Sequence, residues 1–194
     1  MIRNIWAVGR NYAHHAKELG NKVPTEPLIF LKAGSCAIFG PEIQLPVWTQ
    51  EVHHEVELAL KFDDNLEFES FGVALDLTER RMQNHLKAQG SPWTLAKSFQ
   101  NSCPISQFHP IKNLNDLAAI SISLEINGSV KQSGNTRDMI FPLERLKQFI
   151  KFHFPVCPGD LLLTGTPAGV GPIQRGDKLT ARLGDQIVHH WNVV

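Results

Sequence analysis

Glu55 and Glu57 flank a single valine in the run EVHHEVELAL, and Asp76 lies at the end of the apolar run FGVALD. Successive side chains on a β-strand alternate between its faces, so residues two apart point the same way. Val56, Leu58 and Leu60 mark one face as buried, which sets Glu55 and Glu57 side by side on the other. Adjacent carboxylates raise each other's pKa unless a cation compensates. An acid closing a buried strand needs a partner too, so Asp76 offers a third oxygen donor. Hard oxygen ligands without cysteine suit Mg²⁺, Mn²⁺ or Ca²⁺ rather than zinc. The plain alternative is a pair of solvated acids on an amphipathic strand, because a lone E-x-E arises easily by accident. His53 shares the glutamates' face, and His54 points the other way.

Three further groups could serve such a centre. His15 and Glu18 are neighbours at i and i+3 on a helix, and a carboxylate beside an imidazole makes it a better base for activating water. An ordinary surface pair has the same spacing, and His14 points away from it. Lys97, in WTLAKSF, is a lysine among apolar residues and calls for a nearby anion; it could pair with the carboxylates or stabilise an enolate. A snorkelling surface lysine is the default against it. Lys32, after PLIFL, is a weaker case of the same kind. The glycine-rich run TGTPAGVG follows a buried strand but lacks a P-loop lysine, so it reads as a loop gripping a carboxylate, with Thr166 donating its hydroxyl.

The elements that must hold these residues are mostly strands. Apolar runs and alternation predict strands over 2–8, 28–31, 55–62, 71–77, 120–126 and 161–163, with a terminal hairpin over 178–183 and 186–191. Asn127-Gly128 is the strongest hairpin signal. Helices are predicted over 12–19, over 78–88 with Thr78 as cap, and over 143–150. Strands outnumber helices and follow one another through turns, which gives an α+β fold.

A chain of 194 residues can bury one sizeable core, so a single domain over 1–194 is expected. Nineteen basic and nineteen acidic residues cancel, leaving no field to recruit nucleic acid or an anionic membrane. Cys36, Cys103 and Cys157 are odd in number and outside any CxxC, which suits a reducing, cytoplasmic compartment. The N-terminal apolar run is too short for a signal peptide and is interrupted by Arg10, and no stretch has the length of a membrane span.

The segments GRNYAHHAKELG, PLIFLK, HHEVELAL, ALDLTERRMQ, GSPWTLAKSF, INGSVKQ, DMIF and PGDLLLTGTPAGVG, in this order, resemble the fumarylacetoacetate hydrolase family over nearly the whole chain, in particular its small acylpyruvase-like members. The resemblance implies a roll of mixed β-sheets, a homodimer and one divalent metal, Mg²⁺ or Mn²⁺. It assigns Glu55, Glu57 and Asp76 as metal ligands, His15 and Glu18 as a water-activating dyad, and Lys97 as the active-site lysine. It places Gln83 and Thr166 on the substrate, with Arg10, Tyr12 and Lys32 around the pocket. Three features depart from the family pattern: His14 stands where aspartate is usual, Arg81 reverses a charge, and the connection from Glu57 to Asp76 is shorter. The implied reaction is metal-dependent hydrolysis of an acylpyruvate, such as acetylpyruvate or fumarylpyruvate, to pyruvate and a carboxylic acid. The alternatives are decarboxylation or keto–enol tautomerisation of oxaloacetate at the same site, or an inert metal-binding dimer.

Overall fold

A computed structural model describes residues 2–13 and 24–194. His15 and Glu18, and nearly all of the helix expected over 12–19, lie outside the described residues. In chain order the elements begin with strands β1 (Asn4–Gly9), β2 (Leu28–Ala33), β3 (Ala37–Phe39), β4 (Glu42–Ile43), β5 (Val52–His54), β6 (Val56–Phe62), β7 (Phe68–Leu75) and β8 (Thr78–Glu79). Helices α1 (Arg80–Ala88) and α2 (Thr94–Lys97) follow, then β9 (Cys103–Ile105), β10 (His109–Pro110), β11 (Ser121–Ile126) and β12 (Ser129–Asn135). Helix α3 (Leu143–His153) precedes β13 (Leu161–Leu163), β14 (Gly171–Pro172), β15 (Lys178–Leu183) and β16 (Ile187–Val193). With three helices among the described residues and mixed sheets, the fold is α+β, as the alternation predicts.

The largest sheet runs β2-β1-β13-β6-β7-β9-β3, with β10 also on β7. Its β1–β13 and β3–β9 pairs are parallel and the others antiparallel. A second sheet runs β12-β11-β15-β16-β4, and a third, of three short strands, runs β14-β5-β8. Strands β6 and β7 show how alternation divides the large sheet. Val56, Leu58, Leu60 and Phe62 share a face with Phe71, Val73 and Leu75, and this face packs against Ile122, Leu124, Leu179, Ala181, Leu183 and Trp191 of the second sheet. The opposite face carries smaller groups around Ala7, Ala59, Ala74, Cys36 and Cys103. Glu57 pairs with Ala74 in the ladder and belongs to that second face.

Two chain segments change sheets side by side. The strand expected over 55–62 begins at Val56; β5 before it belongs to the three-stranded sheet and β6 to the large one, with Glu55 at the break. Strand β7 ends at Leu75, and β8 joins the three-stranded sheet, with Asp76 in the gap. The Asp76 amide donates to the Glu55 carbonyl at 2.8 Å, so the two crossings are stitched together. Thr78 is not the cap of α1. It lies in β8, and the Glu79 side chain caps α1 instead, accepting from Met82 N at 2.5 Å and from Gln50 N and Glu51 N at 3.0 Å.

The connection between Glu57 and Asp76 is a hairpin of β6 and β7. Asp63 Oδ1 accepts from Asn65 N and Glu67 N, each at 2.8 Å, which closes the turn without a helix. Lys147 and Lys151 of α3 both reach Glu67 at its tip. The predicted Asn127-Gly128 turn is present, with φ of 52° and 80°, both left-handed as a two-residue hairpin loop requires.

Candidate active site

The double sheet change brings Glu55, Glu57 and Asp76 together. One carboxylate oxygen from each lies within 4.8 Å of the others, and all three residues are buried. Burial, with the Asp76 and Glu55 carboxylates behind it, pushes the Glu57 carboxyl well above the usual range; Lys97 and the Gly165 amide act the other way. Three converging buried oxygen donors with no sulfur or imidazole among them fit a hard dication.

Lysines balance the acids. Lys97 Nζ sits 2.8 Å from Glu55 Oε2 and 2.5 Å from Asp76 Oδ2, bridging the two. It comes from α2, a single turn after Trp93, and lies 5.0 Å from the centre of the Phe30 ring. Burial works against this ammonium, but Asp76 and Glu55 together outweigh it, and its pKa is raised. Lys32 is fully buried, with Nζ 2.8 Å from Asp76 Oδ1 and further bonds to the Leu77 and Lys97 carbonyls. These bonds commit the ammonium from below the site. Lys32 is not among the residues that line the cleft, and its bond to Asp76 holds that carboxylate from behind.

The wall is supplied by α1. Arg80 Nη2 lies 2.5 Å from Glu55 Oε1, its Nη1 donates to Gln83 Oε1 at 2.6 Å, and its Nε lies 3.3 Å from His53 Nδ1. His53 in turn meets Glu51 at 2.7 Å, so it supports Arg80 rather than the acids directly. Arg10, Gln83, Lys87, Trp93 and Thr166 border the same cleft as the three acids and Lys97. Tyr12 does not: it is buried, its hydroxyl has no partner among the described residues, and burial followed by Glu57 and Asp138 pushes its pKa up. Arg81 is exposed, so the charge reversal beside Arg80 falls on the surface.

The glycine-rich loop grips a carboxylate, but the protein's own. Gly165 N donates to Glu57 Oε2 at 2.7 Å. Its φ of 98° is left-handed, and a Cβ there would meet Asn11 Cβ at 2.7 Å, so the position requires glycine. The Thr166 hydroxyl donates to the Val56 carbonyl at 2.8 Å and accepts from Gln132 Nε2 at 2.7 Å. Its proton is therefore spent on the fold and is not offered to the cleft. Gln132, on β12, also bonds Pro167 O, Val56 N and His54 Nδ1 at 2.8, 3.0 and 2.8 Å. This one buried amide ties the loop to the start of β6. His54 is buried and its pKa lowered, chiefly by burial, which makes it a structural partner of Gln132.

Sequence reasoning missed Arg80, Lys87, Phe30 and Trp93. Arg80, Gln83 and Lys87 fall at i, i+3 and i+7, one stripe of a helix, so the assignment of Gln83 already carried the signal for the other two.

The fold and this buried acid centre define a class. The chain belongs to the fumarylacetoacetate hydrolase family: the model described as Fumarylacetoacetate (FAA) hydrolase C-terminal matches residues 4–193. Among individual relatives, the mitochondrial oxaloacetate decarboxylase of Dictyostelium discoideum is 43% identical over 187 residues, covering 90% of this chain and 85% of that one. The oxaloacetate tautomerase YcgM of Escherichia coli is 41% identical over 192 residues, covering 92% and 87%. The crystal structure of fumarylpyruvate hydrolase from Pseudomonas aeruginosa, in complex with Mn²⁺ and pyruvate, superimposes with a TM-score of 0.93 at 28% identity, covering 100% and 90%. The chain is thus an enzyme of this family. No helix among the described residues is long and apolar enough to cross a membrane.

Proposed function

We propose that this enzyme acts on oxaloacetate and interconverts its keto and enol forms, using one Mg²⁺ or Mn²⁺ held by Glu55, Glu57 and Asp76. The observation that carries the reading is the bridging position of Lys97 between Glu55 and Asp76 at the base of a cleft that also presents Arg10 and Arg80. A cleft so supplied with fixed cations suits a small keto diacid whose enolate must be stabilised as it forms. Relatives named for oxaloacetate chemistry, one a decarboxylase at 43% and one a tautomerase at 41% identity, support oxaloacetate rather than an acylpyruvate as the substrate.

A bound dication would supply Lewis-acid polarisation of the 2-keto oxygen. The chain's own residues do the rest. Lys97 offers its ammonium to the enolate oxygen, while Phe30 covers it on one side and limits water. Lys32 and Arg80 hold Asp76 and Glu55 in place, and Gly165 N holds Glu57. His15, supported by Glu18, moves the proton to and from the carbon next to the keto group. The active form in this reading is a homodimer of one catalytic domain, which sedimentation velocity checks directly. Three cysteines outside any CxxC support a reducing compartment, the cytoplasm in this reading.

The test is to mix the purified protein with enol oxaloacetate and follow the loss of enol absorbance, with and without Mg²⁺ or Mn²⁺. Pyruvate release from oxaloacetate, acetylpyruvate and fumarylpyruvate is measured in parallel. Metal-dependent enol loss that outpaces every pyruvate release is expected. Faster pyruvate release from an acylpyruvate would restore hydrolysis as the activity, faster release from oxaloacetate would make the enzyme a decarboxylase, and spontaneous rates throughout would mark an inert scaffold.

A further inference from the structure

Lys87 is a cation of the cleft that has no ion-pair partner among the described residues. It lies on the same stripe of α1 as Arg80 and Gln83, but those two are bonded to each other and to Glu55. No carboxylate among the described residues pairs with Lys87. It is half-buried, its Nζ lies 5.1 Å from the centre of the Trp93 ring, and Trp93 packs against Phe30 at 6.0 Å. A lysine in the last turn of a helix is favoured by the helix dipole, but that benefit does not require a place in the cleft. Partial burial beside other cations is unfavourable: burial first, then Arg80, Arg10 and Lys97, push its pKa down. The aromatic seat holds the ammonium in the cleft despite this.

We propose that Lys87, seated on Trp93, binds the second carboxylate of a keto diacid and so sets the enzyme's preference for dicarboxylates over keto acids with one charged end. The assignment rests on the oxaloacetate reading for its substrate class. It differs from that reading in concerning only the end of the substrate remote from the reacting carbons. An anion there relieves the repulsion among Lys87, Arg10 and Arg80, so the diacid gains affinity that a neutral end cannot.

The experiment measures affinity, by calorimetry on the Mn²⁺-loaded protein, for 3,3-difluorooxaloacetate, which cannot enolise, and for its 4-methyl ester. Wild-type protein should bind the diacid about ten- to a hundredfold more tightly than the ester, the range for a hydrogen bond to a charged group. Lys87→Met, which keeps the apolar stem on Trp93, should remove that preference by weakening the diacid alone, and Lys87→Arg should restore most of it. The proposal is overturned if Lys87→Met retains the preference, if it weakens both ligands alike, or if Arg10→Met removes the preference instead. Oxaloacetate turnover, followed alongside, separates the two claims. A Lys87-dependent preference without turnover would support this assignment and sink the tautomerase reading.

Discussion

The two faces of the β6–β7 ribbon use the same backbone for opposite purposes. One face presents Leu58, Leu60, Phe62, Phe71 and Val73 to the second sheet and is apolar throughout. The other presents Ala59 and Ala74, then Glu57, and opens at the sheet change into Glu55 and Asp76. Small side chains on that face leave room for the lysines that reach the acids from β2 and α2. The packed face therefore supplies stability and the other spends part of it on buried acids that Lys32, Lys97 and Arg80 hold in place.

Substitutions on each face sharpen this contrast. Asp76→Asn should have the largest effect, because it leaves Lys32 and Lys97 facing a neutral amide. Breaking such a buried pairing costs about 3–5 kcal/mol, and Mn²⁺ affinity should fall by more than the roughly 10–100-fold typical of losing an outer partner. Denaturant melts and calorimetry measure the two losses. Leu60→Ala, on the packed face, should cost about 2–5 kcal/mol in the same melts and leave metal affinity unchanged; a change in metal binding would show that the faces are not independent.

Gln132→Leu tests the clasp between them. It leaves the buried Val56 amide and His54 Nδ1 without their acceptor, at about 1–3 kcal/mol for a buried group so orphaned. It should also loosen Gly165 on Glu57, with a smaller loss of Mn²⁺ affinity than Asp76→Asn. Arg81→Asp, which restores the usual charge beside Arg80, should be nearly silent, within about 0.5 kcal/mol and with unaltered KM, because Arg81 points to solvent.

The sequence revealed what depends on local periodicity. Alternation located β6 and β7 because it follows from the period of a strand, whereas Glu55 lies just outside β6 at the sheet change, which the E-x-E spacing does not register. Asn127-Gly128 marked its hairpin for an equally local reason. Contacts between distant segments were not legible. The apolar neighbours of Lys32 and Lys97 pointed to buried lysines in need of an anion, but nothing near Lys32 in the chain reveals that its partner is Asp76. The partners of the Thr166 hydroxyl, Val56 O and Gln132, come from strands far away in sequence and could not be read from the loop. The start of α1 was misplaced since Glu79 caps it while also accepting from Gln50 and Glu51, a tertiary arrangement that local capping rules do not register. The two-residue strands β8 and β14 owe their existence to neighbours and leave no pattern of their own.

The central claim is that Glu55, Glu57 and Asp76 hold a single dication. Titrating metal-free protein with Mn²⁺ and following free Mn²⁺ by electron paramagnetic resonance tests it directly. One ion per chain should bind, and Glu57→Gln, which keeps the side-chain shape, should abolish that binding while the protein stays folded by circular dichroism. Binding that survives Glu57→Gln unchanged, or wild-type protein that takes up no ion, would contradict the account.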